Sequence, residues 1–160
     1  MKNYKIKKKA IIIYGITNKS GSLLAKHYTK KKFKVYGVLT AKKKDFSYLK
    51  KLNILDKVKI IKHKKNMKEK VKHLIKKSKC SKIFFFNEII TNNNNLLIEI
   101  LECLRNKNFK NIKFFYFFYH SNFYDLAKDI DQEIIKAYRL QFNLKIYNML
   151  LSNLGKKLLK

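Results

Sequence analysis

The sequence predicts an α/β fold, a doubly wound parallel sheet of about six strands in the Rossmann-like arrangement, with helices on both faces. Two observations carry this prediction: apolar runs of strand length alternate with segments of helical periodicity, and the first run ends at a glycine turn. Such alternation implies parallel strands joined by right-handed crossovers. The 160 residues, of which 46% are hydrophobic, suffice for one core, so we expect a single domain over residues 1–160.

The first three elements form a β-α-β unit. Residues 9–14 are a continuous apolar run rich in isoleucine that ends at Gly15, which is typical of a strand buried on both faces. After this turn, helical spacing predicts a first helix, and residues 33–39 predict a second strand. The residues at helical spacing are Leu23, Leu24, His27 and Tyr28.

The rest of the chain repeats the alternation. The predicted strands are 58–61, 82–86, 112–118 and 144–150. The predicted helices are a short one over 46–52, one over 68–77, one that residues 92–95 can cap, and one over 125–140. Helical spacing points Val71, Leu74 and Ile75 inward in the helix over 68–77, and Leu96, Leu97, Ile100, Leu101 and Leu104 inward in the helix after 92–95. Open sheets of this kind bind ligands beyond the carboxyl ends of their strands, near the reversal of strand order. We therefore expect the site on the turns after strands one, four and five.

The formal net charge of +29 raises the question of nucleic acid. Nearly all the basic residues are lysines, and only Arg105 and Arg139 are arginines, the residue that bidentate phosphate and guanine recognition favours. The lysines are also spread along the whole chain, as expected for solvated faces. We therefore interpret nucleic acid as an unlikely main partner and keep it as an alternative.

Cysteines, histidines and apolar runs give no sign of a metal, a disulfide or a membrane. Cys80 and Cys103 are far apart and lack metal-ligand spacing, so we expect buried thiols. The four histidines are scattered, and we propose no metal site. No apolar run reaches 18 residues and no cleavage site follows the short apolar stretch near the start, so we expect no membrane partner and a cytoplasmic location.

The turn after the first strand carries a family resemblance. It contains Gly15-Ile16-Thr17-Asn18-Lys19-Ser20-Gly21-Ser22, followed by Leu23-Leu24-Ala25. This resembles the G-I-T-G-x-D-G-S-x-L-A turn of GDP-mannose 4,6-dehydratases, which are extended short-chain dehydrogenase/reductases. In that family the glycines let the cofactor pyrophosphate approach the backbone and the N-terminus of the following helix. The resemblance implies a cofactor site that is made of Gly15, Thr17, Asn18, Ser20 and Gly21.

Asn18 stands where the family has its middle glycine. Asparagine tolerates the left-handed backbone that glycine adopts in such turns, which would soften this departure from the family. The side chain would then lie near the cofactor phosphates. Gly15 and Gly21 correspond to the first and last glycines of the turn.

The choice of cofactor depends on the segment after the second strand. The family usually has an arginine there for the phosphate on the NADP ribose, and this chain has Thr40. Lys42 or Lys43 supplies a positive charge instead, and no acidic residue ends the strand as an NAD site would require. We expect NADP, with NAD as the alternative. Asn66 occupies the place of a family aspartate that contacts the adenine.

Catalytic residues are suggested by Tyr124-Asp125-Leu126-Ala127-Lys128, a Y-x-x-x-K at the start of a helix. The resemblance implies that Lys128 lowers the pKa of the Tyr124 phenol, which moves a proton while the nicotinamide takes a hydride. Ser121 would supply the family's hydroxyl, although a gapless match puts His120 there. Alternatively, Tyr124 is an aromatic that packs at a helix start and Lys128 is solvated.

Two departures from the family keep three functions open. Asn122 falls near the place of the catalytic glutamate, and an amide cannot accept the proton that the dehydratase base removes. The C-terminal substrate domain of the family is expected to be absent, which would require a homo-oligomer or a partner chain. The open functions are a nucleotide-sugar 4,6-dehydratase that uses NADP(H) on a nucleotide-linked hexose, a dinucleotide-binding module without turnover, and a basic nucleic-acid-binding protein.

Overall fold

A computed structural model describes residues 9–39, 45–62, 68–86, 94–119 and 126–151. Six parallel strands form one sheet in the order β3-β2-β1-β4-β5-β6, which confirms the predicted Rossmann-like α/β fold. The strands are β1 (Ala10–Tyr14), β2 (Lys34–Leu39), β3 (Val58–Lys62), β4 (Cys80–Phe86), β5 (Lys113–Tyr119) and β6 (Ile146–Leu151). The helices are α1 (Lys19–Lys30), α2 (Ser47–Lys51), α3 (Lys68–Ser78), α4 (Asn94–Leu104) and α5 (Leu126–Phe142), with two short 3-10 turns at Leu55–Lys57 and Lys107–Phe109.

The strand order reverses between β1 and β4. Ile12 at the centre of β1 pairs with Tyr36 of β2 on one side and with Ile83 of β4 on the other. Because the strands are parallel, the carboxyl ends of β1, β4 and β5 lie side by side at one edge of the sheet. The segments that follow β4 and β5 at this edge, residues 87–93 and 120–125, lie outside the described residues.

The core has one layer on each face of the sheet. On one face α3, α4 and α5 bury their apolar sides, and the residues predicted to point inward are buried. These are Val71, Leu74, Ile75, Leu96, Leu97, Ile100, Leu101 and Leu104. On the other face α1 and α2 pack through Ala25 and Leu49. All five residues of β1 are buried between the two layers, which explains its uninterrupted apolar sequence.

Element boundaries differ from the sequence predictions by a few residues, for local reasons. Helix α5 continues to Phe142 and ends at Asn143, whose φ of 50° is left-handed. Leu144 is therefore a buried connector and not the first residue of β6. Both cysteines are buried free thiols, as expected. Within the described ranges, no helix is long and apolar enough to span a membrane.

Candidate functional site

The turn between β1 and α1 is built on two glycines. Gly15 has a φ of 75°, a left-handed conformation that favours glycine. Its N–H donates to the carbonyl of Val38 at 3.2 Å, and its carbonyl accepts from the N–H of Asn18 at 3.2 Å. These two bonds turn the chain tightly away from the end of β1.

Gly21 allows α1 to approach this turn at backbone distance. A Cβ built on Gly21 would lie 2.3 Å from the carbonyl oxygen of Gly15, which is closer than any real contact. One residue further, the Ser22 hydroxyl is buried and donates to the carbonyl of Ile16 at 2.8 Å. The first turn of α1 therefore lies directly over the end of β1, and any side chain at position 21 would force the two apart.

Asn18 is the N-cap of α1, and its backbone is not left-handed. Its φ of −74° and ψ of 163° are extended, and its Oδ1 accepts from the N–H of Gly21 at 2.6 Å. An N-cap residue takes this conformation so that its side chain can satisfy a first-turn N–H. The Asn18 Nδ2 is buried and has no hydrogen-bond partner among the described residues.

The electrostatics of this turn favour an anion. No acidic side chain lies in the first turn of α1, and the helix N-terminus carries a partial positive charge. Thr17 and Ser20 are half-buried at the same place and offer hydroxyls. The unpaired Nδ2 of Asn18 is a further donor. These donors, the partial positive charge of the helix N-terminus and the absence of acid from this helical turn fit a phosphate group.

The other predicted site residues cannot be placed relative to this turn. Ser121, Tyr124, Lys42, Lys43 and Asn66 lie outside the described residues. Lys128 lies in the first turn of α5, and its side chain is likewise outside the described part. The juxtaposition of Tyr124 and Lys128 with the glycine turn therefore stays a prediction.

Buried polar groups that the sequence did not reveal as candidates lie below the carboxyl end of β1. The Tyr14 hydroxyl and the Glu99 Oε2 are buried without a hydrogen-bond partner in the described part of the chain. Burial, and then the nearby Cys80, Cys103 and Glu99, raise the pKa of Tyr14 far above its usual value. Tyr14 thus stays neutral at physiological pH and cannot act there as a proton acceptor.

Cys80 is similarly unreactive. Burial raises the pKa of its thiol to about 11, against a smaller lowering by the hydrogen bond with Ser78. A thiol is a poor nucleophile when protonated, so nucleophilic catalysis by Cys80 is excluded near neutral pH. Among the described residues, no three histidine, cysteine or acidic side chains are grouped so that they could hold a metal ion.

Comparison with known proteins gives structural likeness without sequence likeness. No protein-family model matches the chain. No curated protein sequence matches it either. Among solved structures, it is similar to a dTDP-glucose 4,6-dehydratase from Bacillus anthracis in complex with NAD, with 17% identity over 89% of this chain and 54% of that chain and a TM-score of 0.70.

Two further solved structures show the same likeness. A UDP-glucose 4-epimerase from Brucella ovis in complex with NAD has 10% identity over 89% of this chain and 51% of that one, with a TM-score of 0.68. Vestitone reductase from alfalfa has 16% identity over 90% of this chain and 56% of that one, with a TM-score of 0.69. At these identities the likeness establishes a shared fold. The chain spans about half the length of the structures it matches.

Proposed function

We propose that this chain binds the nicotinamide dinucleotide NADP(H) over the β1–α1 turn and acts as a nucleotide-sugar 4,6-dehydratase of the GDP-mannose type. The observation that carries the proposal is the approach of Gly21 to the Gly15 carbonyl, which leaves no room for a side chain at position 21 in the first turn of α1. Two proteins of similar fold, a dTDP-glucose 4,6-dehydratase and a UDP-glucose 4-epimerase, are in complex with NAD. Their names support a nucleotide-linked hexose as the substrate class.

Different residues would hold different parts of the cofactor. Gly15 and Gly21 let the first turn of α1 pack directly on the end of β1, so that its N-terminus would face the pyrophosphate, and the Nδ2 of Asn18 would offer it a donor. Lys42 and Lys43, after β2, would pair with the ribose phosphate that distinguishes NADP from NAD. No acidic residue stands at the end of β2 to favour NAD, since β2 ends at Leu39 and Thr40 follows.

The catalytic roles fall to three residues near the start of α5. The bound nicotinamide supplies reversible hydride transfer. Tyr124 moves a proton to or from the substrate hydroxyl, Lys128 lowers the pKa of that phenol, and Ser121 holds the reacting oxygen by a hydrogen bond. Asn122 stands in the place of a carboxylate base and cannot accept a proton. This single difference favours the second candidate function, a dinucleotide-binding module without turnover.

Calorimetric titration with NADP and NAD tests the binding step. We expect NADP to bind more tightly than NAD, and binding of neither would overturn the proposal. Asn18→Asp is the informative variant, because a carboxylate still caps the helix but places a negative charge beside the phosphates. Its melting temperature should match the parent while its affinity for NADP falls at least about tenfold, a change of about 1.4 kcal/mol.

Turnover of GDP-mannose tests the catalytic step separately. If the parent converts GDP-mannose, Tyr124→Phe should abolish conversion, since the ring stays and the proton-transferring hydroxyl is lost. Conversion that survives this substitution would remove Tyr124 from the mechanism. Tight NADP binding with no conversion by the parent would identify the non-catalytic module.

A further inference from the structure

One face of the second half of the sheet carries lysines and aromatic rings in register. Side chains alternate along a strand, so every second residue shares a face. Strand register pairs Lys82 with Lys113, Phe84 with Phe115, and Phe115 with Tyr147. We call the set the lysine–aromatic face. Its residues are Lys82, Phe84 and Phe86 of β4, Lys113, Phe115 and Phe117 of β5, and Lys145, Tyr147 and Met149 at and before β6.

Among the described residues, only the part of the lysine–aromatic face that is nearest to β1 is covered. Phe84 and Phe86 are buried, with Phe84 packed on the Tyr28 ring of α1. Towards β6 the cover ends, and Tyr147 and Met149 are 41% and 42% exposed. On the opposite face of the same strands, Phe114, Tyr116 and Ile146 are buried. Further along β6, Asn148 and Leu150 of that opposite face are exposed as well, so both faces of β6 are exposed beyond Ile146, and only the lysine–aromatic face presents an aromatic ring there.

The aromatic rings of this face form a stack that ends in solvent. The Phe84 and Phe115 ring centroids are 5.0 Å apart with planes 15° apart, and those of Phe115 and Tyr147 are 5.0 Å apart with planes 18° apart. Strand β6 is the edge of the sheet, so Tyr147 is the last ring of the stack. No further ring stacks on Tyr147 among the described residues. A flat aromatic ligand would continue the stack on its outer side.

Two lysines lie beside this stack, towards the start of the strands. Lys113 and Lys145 are exposed and stand two residues before Phe115 and Tyr147, about 7 Å away along each strand. Lys145 donates to the Asn111 side-chain oxygen at 3.3 Å, a neutral partner, and forms no ion pair within the described ranges. The ion pairs found in the described residues are Arg105 with Glu102 and Lys136 with Glu133, both in helices or at a helix end.

The positive charge continues along the whole amino edge of the sheet. A lysine stands at, or immediately before, the first residue of all six strands. Because the strands are parallel, these starts lie at one edge, opposite the β1–α1 turn. All six lysines are exposed: Lys9, Lys34, Lys57, Lys79, Lys113 and Lys145. This arrangement could not be seen in the composition, because it depends on which lysines the strands bring together.

We propose that the lysine–aromatic face and the amino edge bind single-stranded nucleic acid, with an unpaired base on Tyr147 and backbone phosphates on Lys113, Lys145 and the neighbouring lysines. Stacking on an aromatic side chain beside a basic groove is how proteins hold single strands without sequence preference. An acidic protein would satisfy the lysines but would not need the outer face of the Tyr147 ring. A second copy of the chain is disfavoured because its net charge of +29 repels itself. This activity is independent of the proposed dinucleotide turn.

Fluorescence anisotropy with the full chain and a labelled single-stranded oligouridine tests the stacking contact. Tyr147→Leu keeps an apolar side chain but removes the ring, and should weaken binding about five- to a hundredfold. Tyr48→Leu is the matched control, because Tyr48 is also 41% exposed but lies on α2. It should leave the affinity unchanged. Equal effects of the two substitutions would overturn the proposal, and melting temperatures check that both variants fold.

Salt dependence tests the phosphate contacts. The slope of log affinity against log salt should become shallower by about 0.7 for each of Lys113→Gln and Lys145→Gln. Lys72→Gln on α3, which packs on the opposite face, should leave the slope unchanged.

Competition separates this site from other sources of polyanion binding. Excess duplex or polyglutamate should compete poorly, since neither offers an unpaired base. Displacement of the oligouridine by NADP in the parent, lost in Asn18→Asp, would assign binding to the β1–α1 turn and overturn the proposal. Monomerisation of an oligomer by Tyr147→Leu, with unchanged oligouridine binding, would assign the face to a second copy and also overturn it.

Discussion

The first and last strands of the chain, β1 and β6, both have largely apolar sequences, but they lie in opposite environments. All five residues of β1 are buried between two helical layers, whereas four of the six residues of β6 are exposed. Next to β1, a Cβ at position 21 would lie 2.3 Å from the Gly15 carbonyl oxygen, so only glycine fits there. Along β6, Met149 and Leu150 are 42% and 50% exposed. An apolar strand sequence thus predicts a strand, but its burial depends on where the crossovers place the helices.

This contrast predicts that substitutions near β1 cost more stability the closer the new atoms would lie to the backbone around them. The largest effect is expected for Gly21→Ala, because its Cβ would meet backbone, the Gly15 carbonyl, and not a flexible side chain. We expect a loss of about 3 kcal/mol in the free energy of unfolding, measured by urea denaturation. Lys30→Ala at the exposed end of the same helix is the control and should change it by less than about 0.5 kcal/mol. A Gly21→Ala protein as stable as the parent would show that the turn can shift to accommodate a Cβ.

A second pair of substitutions compares two fully buried tyrosines, one from each half of the sheet. The Tyr116 hydroxyl on β5 donates to Asp131 at 2.6 Å, whereas the Tyr14 hydroxyl on β1 has no hydrogen-bond partner among the described residues. Tyr116→Phe should therefore destabilise by about 2 kcal/mol, because it withdraws a donor from a buried carboxylate. Tyr14→Phe should be neutral or stabilising. Urea denaturation of both variants decides this, and equal losses would mean that Tyr14 has a partner.

A smaller effect is expected at the cap of α1. Asn18→Ala removes the acceptor of the Gly21 N–H and should destabilise by about 1 kcal/mol. Asn18→Asp should recover this stability, because its carboxylate accepts the same bond. The melting temperatures of the two variants, measured by thermal denaturation, show how much of the stability comes from the capping hydrogen bond. An Asn18→Ala protein with unchanged stability would show that water replaces the cap without loss.

The fold could be predicted from the sequence because each element carries a local pattern. Helical spacing located the buried side of α3, for example, through Val71, Leu74 and Ile75. Boundaries were less predictable where a backbone choice decides them, as at Asn143, whose left-handed φ ends α5. The parallel pairing of the strands followed from the alternation of strands and helices, since parallel neighbours require crossovers.

The candidate site could be predicted only in part. The spacing of Gly15 and Gly21 could be seen in the sequence, but the N-cap role of Asn18 was missed, because Asn18 was compared only with the glycine that the family has at this place. An asparagine directly before a helix is itself an N-cap signal and would have given the correct role. The lysine–aromatic face was missed for another reason. The sequence of β5, Lys113–Tyr119, is aromatic at both alternating sets of positions, so nothing local distinguishes its covered face.

The smallest effect is expected on β6 itself. It tests whether the residues of β6 that are exposed in the structure are also exposed in solution. Leu150 is 50% exposed, so Leu150→Ser should change the free energy of unfolding by less than about 0.5 kcal/mol. A leucine buried against a partner loses about 2–5 kcal/mol on truncation, so a loss of that size in urea denaturation would mean that β6 is covered. A concentration-dependent loss would locate that cover in a second chain, because only association makes stability depend on protein concentration.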